Sequence, residues 1–180
     1  MKGIVFTELF DMVEDKFSPD MLDDVLDECI LESGGSYTSV GTYDHKELLE
    51  IVRVLSEKTE IPVKDLVYVY GHHLFSRFHA LMPQFFEDRS NAFEFLQSVH
   101  DYIHVEVKKL YPDASLPEFQ TELKGENTLI MIYMSQCPFA DFAGGLIQGC
   151  IDFYKEEIDV QAQDQNNDER YSRVFTLTKY

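Results

Sequence analysis

The hydrophobic periodicity of this chain changes once, about two thirds of the way along, and that change limits the folds open to it. Over residues 4–17, Val5, Phe6, Leu9, Phe10, Val13 and Phe17 recur at steps of three and four, the spacing of one helix face. Ser18-Pro19-Asp20 marks a break and a restart, because proline suits a first helical turn. A second helix is expected through Met21, Leu22, Val25, Leu26 and Ile30, stopping at Ser33-Gly34-Gly35. Tyr43-Asp44-His45 leads into a third, carrying Leu48, Leu49, Ile51, Val52 and Leu55. Pro62 opens a fourth from residue 63 to about 81, and Asn91 caps a long one over 92–110 that ends before Pro112. Beyond that point the apolar residues alternate. Residues 118–123 and 128–133 are strand-like around Lys124-Gly125-Glu126-Asn127, a hairpin turn. A helix over about 138–157 then places Phe139, Phe142, Leu146, Ile147, Cys150 and Phe153 on one face. Residues 158–163 and 173–179 make a second hairpin around the polar turn QDQNNDER.

This order predicts one α+β domain over 1–180, with a helical N-terminal lobe of about 1–62. The second lobe, about 63–180, holds a C-terminal antiparallel sheet with a packed helix. The net charge of −18, from 33 acidic against 15 basic residues, disfavours phosphate backbones and anionic membrane surfaces as partners. Solubility is the plain reading of that charge. Glu8 and Asp11 come too early for a signal-peptide apolar region, no run approaches membrane-spanning length, and a cytoplasmic location is expected. Three cysteines without C-x-x-C spacing suggest neither a disulfide framework nor a cysteine-rich zinc module. Nucleophile–base pairs and phosphate-binding glycine loops are not visible. His72 and His73 are adjacent and point apart on a helix.

Within 92–110, Leu96, Val99, Ile103, Val107 and Leu110 are expected to form the buried stripe. His100 and His104, four apart, lie stacked along its flank. An imidazole facing apolar surroundings must find a hydrogen-bond partner, lose its charge or bind something. Three readings stand at this point. Both histidines are satisfied by neighbours; or the pair clamps zinc, although H-E-x-x-H is absent and two ligands do not complete such a site; or one of them is an axial ligand to heme iron.

The stretch HVEVKKLYPDASLPEF, followed by a hairpin and YMSQC, resembles the heme–nitric oxide/oxygen binding (H-NOX) family. This is the gas-sensing domain of bacteria that is also found in soluble guanylate cyclase. The resemblance covers essentially the whole chain. MKGIVF, SEKTEIPVKDLVYVYGHHLF (56–75), HVEVKKLYPDASLP (104–117), YMSQC (133–137) and GLIQG (145–149) occur in the family's order and at its intervals. It implies the H-NOX fold, with heme b (iron protoporphyrin IX) enclosed by the lobe of 63–180. It implies that His104, the histidine of H-x-x-x-x-K-x-x-P, is the proximal iron ligand and that His100 is structural. It also implies that Pro117 presses on the porphyrin and bends it.

The family holds the heme propionates with Tyr-x-Ser-x-Arg. Tyr133 and Ser135 match, but Cys137 stands at the arginine position, and a thiol cannot pair bidentately with a carboxylate. The loss is on the order of 1.5–3 kcal/mol. Cys137 reads as a passive substitution, a redox-sensitive thiol or, least of all, an iron ligand. Some bacterial relatives carry a structural zinc site in the C-terminal third. With no histidine after His104 and no cysteine after Cys150, none is expected here.

Oxygen on ferrous heme gains partial superoxide character and calls for a hydrogen-bond donor; nitric oxide does not. The oxygen-binding relatives use a distal tyrosine, and the matching position is Phe142, while those of its supporting tryptophan and asparagine are Leu9 and Leu74. With Val5, Phe78 and Leu146 the distal side is expected to be apolar, which is equally what ordinary core packing would give. The resemblance thus implies a nitric oxide sensor, without enzymatic activity, that also binds carbon monoxide. It would signal to a separate histidine kinase or cyclic-di-nucleotide enzyme through lengthening or cleavage of the iron–His104 bond. The alternative is a heme-free interaction module of the same fold, which Cys137 keeps open. A zinc-dependent hydrolase using His100 and His104 is a weaker third.

Overall fold

The computed structural model describes residues 1–167 and 169–180. Four helices come first: α1 (Ile4–Lys16), α2 (Pro19–Glu28), α3 (His45–Thr59) and α4 (Val63–Leu81). Local hydrogen bonds set their starts. Ser18 accepts from the Met21 N–H (3.1 Å) and Asp44 from the Lys46 N–H (2.9 Å), each satisfying a donor that the helix itself leaves orphaned. α2 stops before the expected Ile30, which is 93% exposed. Its last turn holds acidic residues and no basic one, the wrong charge for the negative end of the helix dipole.

The segment 92–110 is one bent helix in three pieces: α5 (Ala92–Ser98), a π-helical turn (Val99–Ile103) and α6 (His104–Leu110). Asn91 caps it by accepting from the Glu94 N–H at 3.0 Å. A π-turn widens the spiral and shifts the register of everything after it. The straight stripe expected from the sequence therefore fails. Leu96 is buried, Val99, Ile103 and Val107 are half-buried, and Leu110 is 60% exposed.

Strands β1 (Glu118–Lys124), β2 (Thr128–Ser135), β3 (Ile158–Asp164) and β4 (Tyr171–Lys179) form an antiparallel sheet in the order β1-β2-β4-β3. Both expected hairpins are present. Gly125 supplies the positive-φ residue of the first turn. In the second turn, Asp168 lies outside the described residues. Phe119, Leu129, Met131, Tyr133, Phe175 and Leu177 line the buried face of the sheet, and α7 (Ala140–Tyr154) covers them through Ala143, Ile147, Cys150 and Ile151. α7 is shorter at both ends than the sequence suggests, closing at Lys155 in a left-handed conformation. Of its expected buried face, Phe142 and Leu146 are half-buried and Phe153 is 37% exposed. α7 meets α4 most closely through its glycines, while Phe142 and Phe153 pack beside that contact, against Tyr70 and against Phe75 and His79.

That contact is made of backbone. A Cβ at Gly71 of α4 would collide with the Phe142 carbonyl of α7, and one at Gly145 with the Tyr68 carbonyl of α4. At Gly149 it would stand 2.7 Å from the Phe75 Cβ. The two helices thus approach until main chain touches main chain, which only hydrogen side chains permit. Gly145→Ala must push the helices apart. Overpacking costs typically 1–3 kcal/mol, and a carbonyl cannot step aside, so about 3 kcal/mol is expected. Gly144→Ala, whose Cβ would find only ordinary contacts to Phe175 and Tyr68 at 3.4–3.5 Å, should stay within about 1 kcal/mol of the parent. Urea-unfolding midpoints of the two variants check the contrast.

Candidate functional site

His104 opens α6 directly after the π-turn. Its Nδ1 is shielded from solvent and has no hydrogen-bond partner within the protein. Its pKa is pushed down to about 4, chiefly by burial and next by the charge of His100. The Pro117 carbonyl pulls weakly the other way without reaching hydrogen-bond geometry at Nδ1. The imidazole is therefore neutral at pH 7 and keeps a lone pair, the state in which histidine ligates metals.

His100 stands apart from it. The ring is exposed, accepts from the Phe119 N–H at Nδ1 (3.4 Å), and its centroid is 6.5 Å from that of His104. A surface depression of about 310 Å³ opens beside it, lined also by Gln97, Asp101 and Glu118. Among the described residues no group of three or more His, Cys, Asp or Glu side chains converges as a metal site would require. The two histidines occupy different environments rather than one clamp.

The sheet brings a second group next to His104. Phe119 lies 5.8 Å from the His104 ring and 5.7 Å from Tyr133, its register partner on β2. The Tyr133 hydroxyl donates to the Cys137 carbonyl (3.1 Å), and Ser135 Oγ accepts from the Cys137 N–H (3.0 Å). The two hydroxyls so fold the end of β2 into a tight turn, and the Ser135 O–H keeps its own proton to donate. Burial pushes the Cys137 thiol up, so it is uncharged at neutral pH. Low pKa and exposure mark a redox-sensing thiol, and Cys137 lacks the first. The guanidinium opposite Tyr133 on β4 belongs to Arg173, but its Nη1 and Nε bind Asp141 and Asp164, each at 2.5 Å. With two carboxylates already on one cation, Arg173 is no substitute for an arginine at 137.

The apolar residues form a third group. Leu9 and Leu74 are fully buried in the cluster of α1–α4, with Val5, Phe78, Phe142 and Leu146 packed half-buried against it. Leu146 also touches the sheet-side cluster and so sits where the two cores meet. Pro117 is half-buried, just before β1. Tyr70, which the sequence reading passed over, is fully buried, lies 5.3 Å from the Phe142 ring and donates its hydroxyl to the Val5 carbonyl. Its one visible trace was a tyrosine at a helix position where the core stripe continues, in VYVYGHH. A neutral unclaimed imidazole, a set of apolar walls and a hydroxyl pair at a strand end suit an apolar disc with a metal at its centre and carboxylates on its rim. These residues fit heme.

Residue 104 carries a pH signature of its own. Between about pH 6.5 and pH 4 the unfolded chain protonates this imidazole and the folded chain refuses the proton. The unfolded state binds more protons there, so stability falls as the pH drops through that window. His104→Gln should flatten the fall, read as the urea midpoint across that pH range.

Comparison with known proteins bears on the family and the fold. The haem-NO-binding (HNOB) family matches residues 2–162. An Fe(II) unliganded H-NOX protein from K. algicida is 37% identical, with a TM-score of 0.93 over 100% of this chain and 97% of its own. The IWP-051-bound H-NOX from Shewanella woodyi, in the Fe(II)CO state, is 40% identical, with a TM-score of 0.84 over 100% of this chain and 95% of its own. An H-NOX protein from S. oneidensis in the Fe(II)NO state, 24% identical, shares the fold at a TM-score of 0.87, covering 99% of this chain and 100% of its own. With its α+β architecture, its His104 environment and these matches, the chain belongs to the H-NOX family of heme-binding gas-sensor domains.

Proposed function

We propose that this chain is a heme b nitric oxide sensor that catalyses no reaction and signals to a separate partner protein. The observation that carries the reading is His104, a sheltered, neutral imidazole with no competing hydrogen bond, at the position of the family's proximal ligand. Heme, when bound, would supply a ferrous iron able to take up diatomic gases. His104 would hold that iron, and Pro117 would press on the porphyrin. Ser135 would donate its hydroxyl to the propionates, and Tyr133 would do so on giving up its bond to the Cys137 carbonyl. Val5, Leu9, Leu74, Phe78, Phe142 and Leu146 would keep water off the distal side and offer no donor to a bound gas.

Lengthening or loss of the iron–His104 bond would free α6, which buries none of its own residues. The signal would pass from there to a histidine kinase or cyclic-di-nucleotide enzyme, with no part for nucleic acid or membrane, in the cytoplasm. No helix among the described residues is long and apolar enough to cross a membrane. In this reading the chain is a single domain with a helical lobe of about 1–62 and a heme-enclosing lobe of about 63–180. One observation keeps a second reading in view. Cys137 supplies no cation and Arg173 is already engaged, which suits a module of the same fold that holds heme weakly or not at all.

Two measurements decide. His104→Gly should lose heme unless imidazole is added, whereas His100→Gly should keep it; equal heme content in His104→Gly and the parent, without imidazole, removes the ligand assignment. The reduced parent protein should show a Soret band, bind carbon monoxide, give a five-coordinate nitric oxide spectrum and form no stable complex with oxygen in air. A stable oxygen complex would overturn the selectivity, and a missing Soret band after heme reconstitution would favour the heme-free module.

A further inference from the structure

The seam between α1 and α4 carries two polar contacts inside a largely apolar cluster, beside His73, whose Nε2 is shielded and without a partner. Tyr70, 1% exposed, donates its hydroxyl to the Val5 carbonyl in the first turn of α1. One turn further along α1 and two turns further along α4, Arg77 Nε donates to Glu8 Oε2 at 2.7 Å, and Glu8 is 6% exposed although it is a carboxylate. The two contacts fall among the residues of α1 and α4 assigned above to the distal side: Val5 is held directly, Leu9 follows Glu8, Leu74 lies between Tyr70 and Arg77, and Phe78 follows Arg77.

Besides these, α1 is held by its start, where the Gly3 and Ile4 N–H groups donate to the Gly41 and Ser39 carbonyls at 2.9 and 3.0 Å, and by the packing of Phe6 and Phe10 on Tyr37. Neither polar contact is needed to fill space. A phenylalanine at 70 would pack as well, and the Arg77 side chain is 42% exposed. A buried carboxylate and a buried hydroxyl are costly unless paired, so both contacts hold the helices at one separation and penalise any other.

We propose that Tyr70 and Arg77 are positioning residues that clamp the Val5–Leu9 turn of α1 against α4 and thereby set how fast a diatomic gas reaches and leaves the distal side of the heme. This rests on the heme reading given above. Packed side chains admit a gas only when they separate transiently. A clamp on both ends of the gripped turn makes those openings rarer without placing any polar atom in the pocket.

The test is carbon monoxide rebinding after flash photolysis of the ferrous protein, in Tyr70→Phe, Arg77→Gln and the double variant. One net hydrogen bond sets the scale, so the association rate should rise about two- to tenfold in each and further in the double variant. The ferrous Soret position should not change, because the proximal side is untouched. Val25→Ala, in the α2 part of the same core, serves as a control that loses stability without loosening the seam. Heme-bearing variants with parental carbon monoxide rates overturn the proposal and leave the heme reading standing. An equal acceleration in Val25→Ala also overturns it, since general loosening would then suffice. A parent protein that takes up no heme removes the heme reading first, and the proposal with it. Should Tyr70→Phe fail to fold, Arg77→Gln at its half-exposed site decides alone.

Discussion

The closest constraint in the molecule is the main-chain contact between α4 and α7. Gly71, Gly145 and Gly149 let the Phe142 and Tyr68 carbonyls come within reach of the opposite backbone, and no other residue type fits there. From that contact the rest follows. α4 carries Leu74 and Phe78 toward α1; α7 carries Ala143, Ile147 and Cys150 toward the sheet; Phe142 and Leu146 face the junction of the two cores. The spacing is set by carbonyl and Cα atoms rather than by side chains. Residues lining the junction can therefore differ in size and polarity without altering the separation of the helices that present them.

Electrostatics divides the molecule in a similar way. The chain carries a net charge of −18, yet few of its charges reach the residues around His104. Glu8 is buried but neutralised by Arg77, and Arg173 is neutralised twice over by Asp141 and Asp164. What surrounds His104 is desolvation, which lowers its proton affinity and leaves the lone pair free. The same dryness that would make a lone buried histidine expensive makes it a suitable ligand.

Much of this was legible in the sequence. The starts of the helices, both hairpins and the cap at Asn91 followed from spacing and turn chemistry. The places where the sequence misled share a cause: each depends on a neighbour that one-dimensional periodicity does not encode. Leu110 is exposed because a π-turn intervenes, and a π-turn leaves no mark in an apolar pattern that assumes 3.6 residues per turn. α7 has a second buried face made of glycine, which a hydrophobicity pattern counts as blank, and Phe153 lies half covered beside it against Phe75 and His79; the four-residue spacing of Gly145 and Gly149 was the available clue. Nothing in the pattern singles out Tyr70, and Glu8 counts there only against a signal peptide; it is the packing of α1 on α4 that gives them Val5 and Arg77 as partners.

The π-turn also divides one helix into two cooperative units of seven residues each. Seven residues are too few for a helix to persist in water on propensity alone, since nucleation costs more than so short a run returns. α5 escapes this by burying Ala92, Phe93, Phe95 and Leu96, whereas α6 buries no residue fully. The order of α6 is then borrowed from whatever grips its first residue, His104. A group that binds His104 acts as the missing tertiary contact of that helix, and occupancy of the site and folding of α6 become a single coupled equilibrium.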